Sequence, residues 1–177
     1  LQKRIYGYNP VHRIYQGWGE PAGYSGHFII DYQKELCDFG TFREDSIFPR
    51  QTQIRNEKNI GIYICFQVES NEQILIKAAS SFTDRKGAEK NLQKEIAHWD
   101  FDRTHQRLTD IWEKHLAAIQ VESPDKEAKQ KFYGAFYRAS FLPHAFNDVD
   151  GRYPAFAQKD SILQLAHDEV YYEDFSM

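Results

Sequence analysis

Residues 1–83 and 84–177 follow two different rhythms, and this change constrains the fold more than any other feature of the chain. In the first stretch Val11, Arg13 and Tyr15 alternate with His12, Ile14 and Gln16. Phe28-Ile29-Ile30 is a short apolar run within 27–32, and Ile60, Ile62, Ile64 and Phe66 fall on one side of 60–69. A side-chain period of two belongs to strands. Ile74-Leu75-Ile76 marks another strand inside 73–82. A loop over 17–26 with four glycines and a proline, and a polar turn over 56–59, punctuate these runs. Short strands parted by turn signals predict a sandwich of antiparallel sheets. The lack of interleaved helices argues against a parallel α/β sheet.

From Asp84 onward the period is helical. Asp84 is placed to cap a helix in which Ala88, Leu92 and Ile96 recur every fourth residue. Asp102 is read as the cap of a second helix with the stripe Leu108, Ile111, Trp112, Leu116 and Ile119. Ser123-Pro124-Asp125 reads as a third start: a cap, a proline at the first helical position, and an acid near the positive end. That helix carries Ala128, Phe132, Ala135, Phe136, Ala139 and Leu142 on one face, and Pro143 ends or kinks it. Tyr133, Tyr137 and Phe141 widen the apolar face beyond one stripe, so the helix needs neighbours on two sides. The residues after Pro143 offer no further helix to supply them. The missing cover is expected from more of the parent polypeptide or from another copy of the chain.

Charge and motifs exclude several classes. With 22 basic and 26 acidic residues the net charge is −4, and no basic stripe suggests nucleic acid. No apolar run approaches membrane-span length. The seven histidines are scattered without His-x-x-x-His or His-Glu-x-x-His spacing, so zinc is not indicated. There is no Gly-x-Ser-x-Gly, no Walker loop and no Gly-x-Gly-x-x-Gly. Cys37 and Cys65 have no metal-like spacing, and each sits in a strand-like apolar segment. Two buried free thiols are the favoured reading over a disulfide. Of the three tryptophans, Trp112 is read as core, Trp18 as packing in a glycine-flanked loop with a sugar-stacking platform as the other reading, and Trp99 as packing where helices meet the sandwich.

The acidic run Asn147-Asp148-Val149-Asp150-Gly151-Arg152-Tyr153 holds the chemistry-bearing candidates. Asp148 and Asp150 flank Val149, so in an extended segment they face the same way and suit sugar hydroxyls or a shared cation. The competing reading is a turn, since Asp-Gly is a common turn pair. Asp174 joins them as a candidate for substrate contact. The chain stops at Met177, in the middle of what reads as a structured element.

Taken in order, several segments resemble one family. They are Ala79-Ser80-Ser81-Phe82, the helix with Ala88, Asn91 and Leu92, Trp99-Asp100-Phe101-Asp102, Trp112 with Leu116, Phe132 to Arg138, the Asp-Val-Asp-Gly-Arg-Tyr run, and Tyr172-Glu173-Asp174-Phe175-Ser176. Together they resemble glycoside hydrolase family 92, the calcium-dependent exo-acting α-mannosidases, over roughly the last hundred residues. The resemblance implies a β-plus-α fold: the C-terminal part of an antiparallel β-sandwich over 1–83, a helical linker over 84–122, and the start of an (α/α)6 barrel over 123–177. It implies an enzyme that removes terminal α-mannose by inversion, with one carboxyl protonating the leaving oxygen and a second activating water some 6.5–9.5 Å away. Calcium, with six to eight oxygen ligands, is implied as cofactor. Both catalytic carboxylates and most calcium ligands are expected outside this chain, so it is expected to be inactive alone and no residue in it is assigned as catalytic or metal-binding. A mannose-containing glycan is the implied partner, and a secreted or periplasmic location the implied setting, with no signal peptide in the chain. The alternatives are a non-catalytic carbohydrate-binding or structural β-sandwich module and, less supported, a disaccharide phosphorylase, for which no cationic phosphate site stands out.

Overall fold

The computed structural model describes residues 3–11, 24–155, 161–166 and 169–173. The chain divides into two compact units, the first made of Leu1–Arg4 and Asp31–Ile76, the second of Ile5–Ile30 and Lys77–Met177.

The first unit is organised on a three-stranded antiparallel sheet: β3 (Asp38–Arg43) lies between β4 (Ser46–Pro49) and β5 (Ile60–Cys65). A two-residue turn joins β3 to β4, with Arg43 opposite Ser46 and Glu44 at φ 50°. The register of β3 on β5 runs from Asp38 opposite Cys65 to Arg43 opposite Ile60. Asn56 and Asn59 take left-handed φ of 57° and 52°, so the polar turn falls where its asparagines place it. Ile62 is exposed although it shares the apolar alternation of β5. Cys37 and Cys65 are free, as expected, but exposed rather than buried. They lie at the end of the β3–β5 pairing, where the Cys37 amide donates to the Cys65 carbonyl at 2.9 Å.

In the second unit, β1 (Arg4–Val11), β2 (Tyr24–Tyr32) and β6 (Ile76–Ser81) form a sheet in the order β1-β2-β6. The expected strand over 11–16 begins earlier, at Arg4, and its part beyond Val11 lies outside the described residues, as does Trp18. The strand expected over 73–82 narrows to β6. Three helices follow: α1 (Arg85–Glu95), α2 (Phe101–Leu116) and α3 (Lys126–Ala139). The core of this unit is the contact of α1 with the sheet. Ile29, Ala88 and Leu92 are buried together, with Ala79 packed against them.

The caps refine the sequence reading. Asp84 caps α1 as expected, its Oδ1 accepting the Gly87 amide at 2.7 Å. The cap of α2 is Asp100, not Asp102: its extended backbone lets Oδ1 accept the Arg103 amide at 2.9 Å. Asp102 stands in the first turn, where its charge favours the positive helix end. The cap of α3 is Asp125, not Ser123, because a carboxylate reaches two amides (Glu127 at 2.9 Å, Ala128 at 3.1 Å) while the Ser123 hydroxyl accepts only from Asp125 itself. α3 ends at Ala139, before the cis Leu142–Pro143 bond.

Neither α2 nor α3 has a buried residue. Trp112 is therefore not enclosed core. It is half-buried in a ring cluster, 4.5 Å from the Tyr137 centroid and 5.7 Å from that of Phe141. Trp99 is half-buried under the Lys77 ammonium, 4.3 Å from its centroid, while Lys77 also donates to the Ile96 carbonyl at 3.1 Å. After α3 come two short antiparallel pairs: β7 (His144–Ala145) with β10 (Tyr172–Glu173), and β8 (Arg152–Pro154) with β9 (Ile162–Gln164). No helix among the described residues is long and apolar enough to cross a membrane.

Candidate functional site

The acidic run folds back on the start of α1 within the second unit. Residues 148–151 make a tight turn rather than an extended segment: the Gly151 amide donates to the Asp148 carbonyl at 2.8 Å, and the Asp148 amide donates to the Arg152 carbonyl at 2.8 Å. Gly151 has φ +81°, the left-handed conformation that favours glycine. The turn places Asp148 and Asp150 in different surroundings.

Asp148 is 4% exposed and its carboxylate is taken up by protein donors. Oδ2 accepts from the Ser81 hydroxyl at 2.7 Å and from the Thr83 hydroxyl, and Oδ1 accepts from Asn91 Nδ2 at 2.8 Å. The Asn91 amide completes the join, donating also to the Ser80 carbonyl at 2.8 Å and accepting from the Val149 amide at 2.9 Å. A buried carboxylate is tolerated only with such partners. The backbone of Gly87 comes so close that a Cβ there would lie 2.2 Å from Asp148 Oδ2 and 2.5 Å from Ser81 Oγ.

Asp150 sits between two cations, with Lys90 Nζ at 2.7 Å and Arg152 Nε at 2.9 Å, and its carbonyl accepts from Gln164 Nε2 at 2.8 Å. Arg152 then reaches Asp84, with Nη1 at 2.7 Å from Oδ2 and Nη2 at 3.3 Å from Oδ1. The hydrogen bond from Arg152 is the main reason the Asp84 carboxyl titrates low, at about 2. Burial pushes Asp150 upward, but the hydrogen bonds from Lys90 and Arg152 outweigh it and hold the group below its ordinary value. Arg152 is in turn held more firmly protonated, chiefly by its bond to Asp84.

This arrangement suits fixed anions. A general acid needs a carboxyl that keeps its proton near neutral pH, and Asp84 and Asp150 are shifted the opposite way. The donor set does not fit calcium either: both Asp148 oxygens face hydroxyl and amide donors, and Asp150 and Asp84 face cations. Among the described residues no group of three His, Cys, Asp or Glu side chains is placed to hold a metal ion. Asp174 lies outside the described residues. Of the three candidates from the sequence, the structure brings Asp148 and Asp150 into one network, joined through Arg152. It adds Ser81 and Asn91, which the sequence marked only as parts of the segments that carry the family resemblance, and Thr83 and Lys90, whose only local signal was their place around the Asp84 cap.

The architecture has counterparts among mannosidases of known structure. An inverting mannosidase of family GH92 from Bacteroides thetaiotaomicron superposes with a TM-score of 0.82 at 21% identity, covering 97% of this chain and 22% of that one. An α-mannosidase of the same family and organism gives a TM-score of 0.80 at 24% identity, covering 97% of this chain and 23% of that one. The same α-mannosidase in complex with mannoimidazole gives 0.79 at 24% identity, covering 97% and 22%. At these identities the likeness is one of fold, and the chain spans less than a quarter of the length of these structures. No curated protein matches the chain. The sequence model of the glycosyl hydrolase family 92 catalytic domain matches residues 87–177, just over half of the chain, and the chain belongs to that family.

Proposed function

We propose that this chain works as part of an exo-acting α-mannosidase that removes terminal α-mannose from glycans with inversion and with the help of calcium, in a secreted or periplasmic setting. The observation that carries the reading is the family match over 87–177, which begins in the first turns of α1 at the glycine whose backbone touches Asp148. The mannoimidazole complex of a structural neighbour supports a mannose-type ligand.

In this reading residues 1–83 belong to a β-sandwich, 84–122 link it onward, and 123–177 open an (α/α)6 barrel. The network around Asp148 anchors the segment after α3 to the cap of α1, so that the chain leading into the barrel has a fixed point of departure. Asp148 supports the turn. Asp150, with its side chain 22% exposed, and Asp174 are the proposed contacts to sugar hydroxyls. The proton-transferring pair and the calcium ligands are supplied by other polypeptide. The paired state of Asp84, Asp148 and Asp150 equally favours a non-catalytic carbohydrate-binding or structural module, and one assay separates the two.

The enzyme that carries this chain is expected to release mannose from an aryl α-mannoside, with β-mannose as the first anomer seen by proton NMR and loss of activity on chelation of calcium. Absence of turnover by that enzyme would favour the module. Turnover by the 177-residue chain alone would overturn the placement of the catalytic carboxylates.

A further inference from the structure

The first unit carries a pair of side chains that the Asp148 network does not use. Cys37 and Cys65 stand at one end of the β3–β5 ladder as free, exposed thiols, within reach of solutes. Residues 38–64, which take in β3, β4 and all of β5 but its last residue, lie between them in the chain. Their separation follows from the ladder. Asp38 is the register partner of Cys65. At the far end the Glu44 amide donates to the Asn59 carbonyl at 3.0 Å, and hydrogen-bonded pairs recur at every second step from there, which makes Asp38 and Cys65 one of them. Yet the Cys37 amide also donates to the Cys65 carbonyl, at 2.9 Å. Two successive residues thus stand against Cys65, which is a β-bulge. Residues facing each other across such bonds have Cα atoms about 5.5 Å apart, inside the roughly 4.4–6.8 Å that a disulfide spans. In a straight strand Cys37 would point to the face opposite Asp38 and Cys65. The chain bends at Cys37 instead, and the bulge breaks the alternation that would part the two thiols. Arg50 lies along the bend, its Nη2 donating to the Cys37 carbonyl at 3.4 Å and its Nε 3.3 Å from Asp38 Oδ1.

This unit also has a use for a covalent bond. Among its described residues Tyr32 is the one buried apolar side chain, so the sheet is held with little core of its own. Small folds of that kind are commonly stapled by disulfides. We propose that Cys37 and Cys65 are a redox-controlled pair that closes β3, β4 and β5 into a covalent ring. The oxidant is a small disulfide of the oxidised glutathione class. One cysteine, as thiolate, attacks a sulfur of that disulfide and releases one thiol molecule. The other cysteine then attacks the mixed disulfide and releases the second. The chain gives up two protons and two electrons in forming one S–S bond, and the oxidant takes them up as two thiols. The proposal stands apart from the mannosidase reading.

The test treats the folded 177-residue chain with oxidised glutathione, blocks the remaining thiols with iodoacetamide and maps the tryptic peptides by mass spectrometry. A monomer lighter by two hydrogens is expected, with peptides 35–43 and 59–77 joined by a bond that dithiothreitol cleaves. The oxidised chain should also unfold at a higher urea concentration than the reduced one, a gain absent from Cys65→Ser under the same treatment. Alkylation of both cysteines, a lasting glutathione adduct on either, or linkage between two copies would overturn the pairing. Equal urea midpoints for the oxidised and reduced chains would overturn the staple.

Discussion

α1 and α2 are successive helices of one unit, and they achieve order by opposite means. α1 is largely charged and polar, yet Gly87, Ala88 and Leu92 are buried. α2 carries the clearest apolar stripe in the chain and buries nothing. The difference lies in what meets each helix. α1 lies on Ile29 of the sheet and against the Asp148 turn, so even a weak stripe is fully covered. α2 meets the rings of α3 through Trp112, while Leu108 and Ile111 stay more than half exposed. An apolar stripe records a demand for cover; the fold decides whether it is met.

The largest effect that could break this contrast is at Asp148. Replacing it with alanine strands the donors of Ser81, Thr83 and Asn91 and should lower the unfolding free energy by about 3 kcal/mol, read as a shifted urea midpoint by circular dichroism. An unshifted midpoint would mean that α1 is held by its apolar contacts alone. Next comes Gly87→Ala. Alanine gains about 1 kcal/mol of helix propensity, but its Cβ would meet Asp148 Oδ2 at 2.2 Å, so a net loss of about 2 kcal/mol is expected. A stabilised variant would show that the helix and the turn are not in close contact.

A smaller effect isolates the ion pair. Asp84→Asn keeps a good cap but weakens the bond to Arg152. The Asp84 pKa falls from 3.8 to about 2 on folding, so its contribution is complete above 3.8 and is lost as the pH drops through the folded value. With the side chain 44% exposed, the contribution is about 1 kcal/mol or less. The fall in urea midpoint between these two pH values should therefore be shallower in the variant, and an unchanged slope would remove Asp84 from the acid response. Smallest is Leu108→Gln on α2, where less than about 0.5 kcal/mol is expected in thermal or urea unfolding. A loss above about 1 kcal/mol would show that Leu108 is covered in solution and erase the contrast.

Much of this was legible in the sequence. The change of rhythm, the Asp84 cap, the asparagine turn and the run Phe28-Ile29-Ile30 all became structure, because each is a local signal between residues a few positions apart. Two caps slipped because two acids or hydroxyls stood close enough to compete, and the one with the extended backbone and the wider reach took the amides. The hydrophobic pattern of α2 gave the right helix but the wrong burial for Trp112, since pattern cannot show whether a neighbour is present. The network at Asp148 was the least legible part. Asn91 and Asp148 are 57 residues apart and Asp84 and Arg152 are 68 apart, so no spacing rule links them. The sequence offered the Asp-Gly turn as one of two readings for 148–151; the hydrogen bonds show the turn and identify the partners of its carboxylates.

Gly151 carries a consequence for sequence comparison. Its φ of +81° disfavours side chains of the natural hand, and a Cβ would also stand 2.7 Å from Gln164 Nε2. A related chain that preserves this bend should therefore keep its smallest residue three places after the buried acid. That pair, acid and bare backbone, gives a signature by which the joint can be searched for in distant homologues whose helices have diverged beyond alignment.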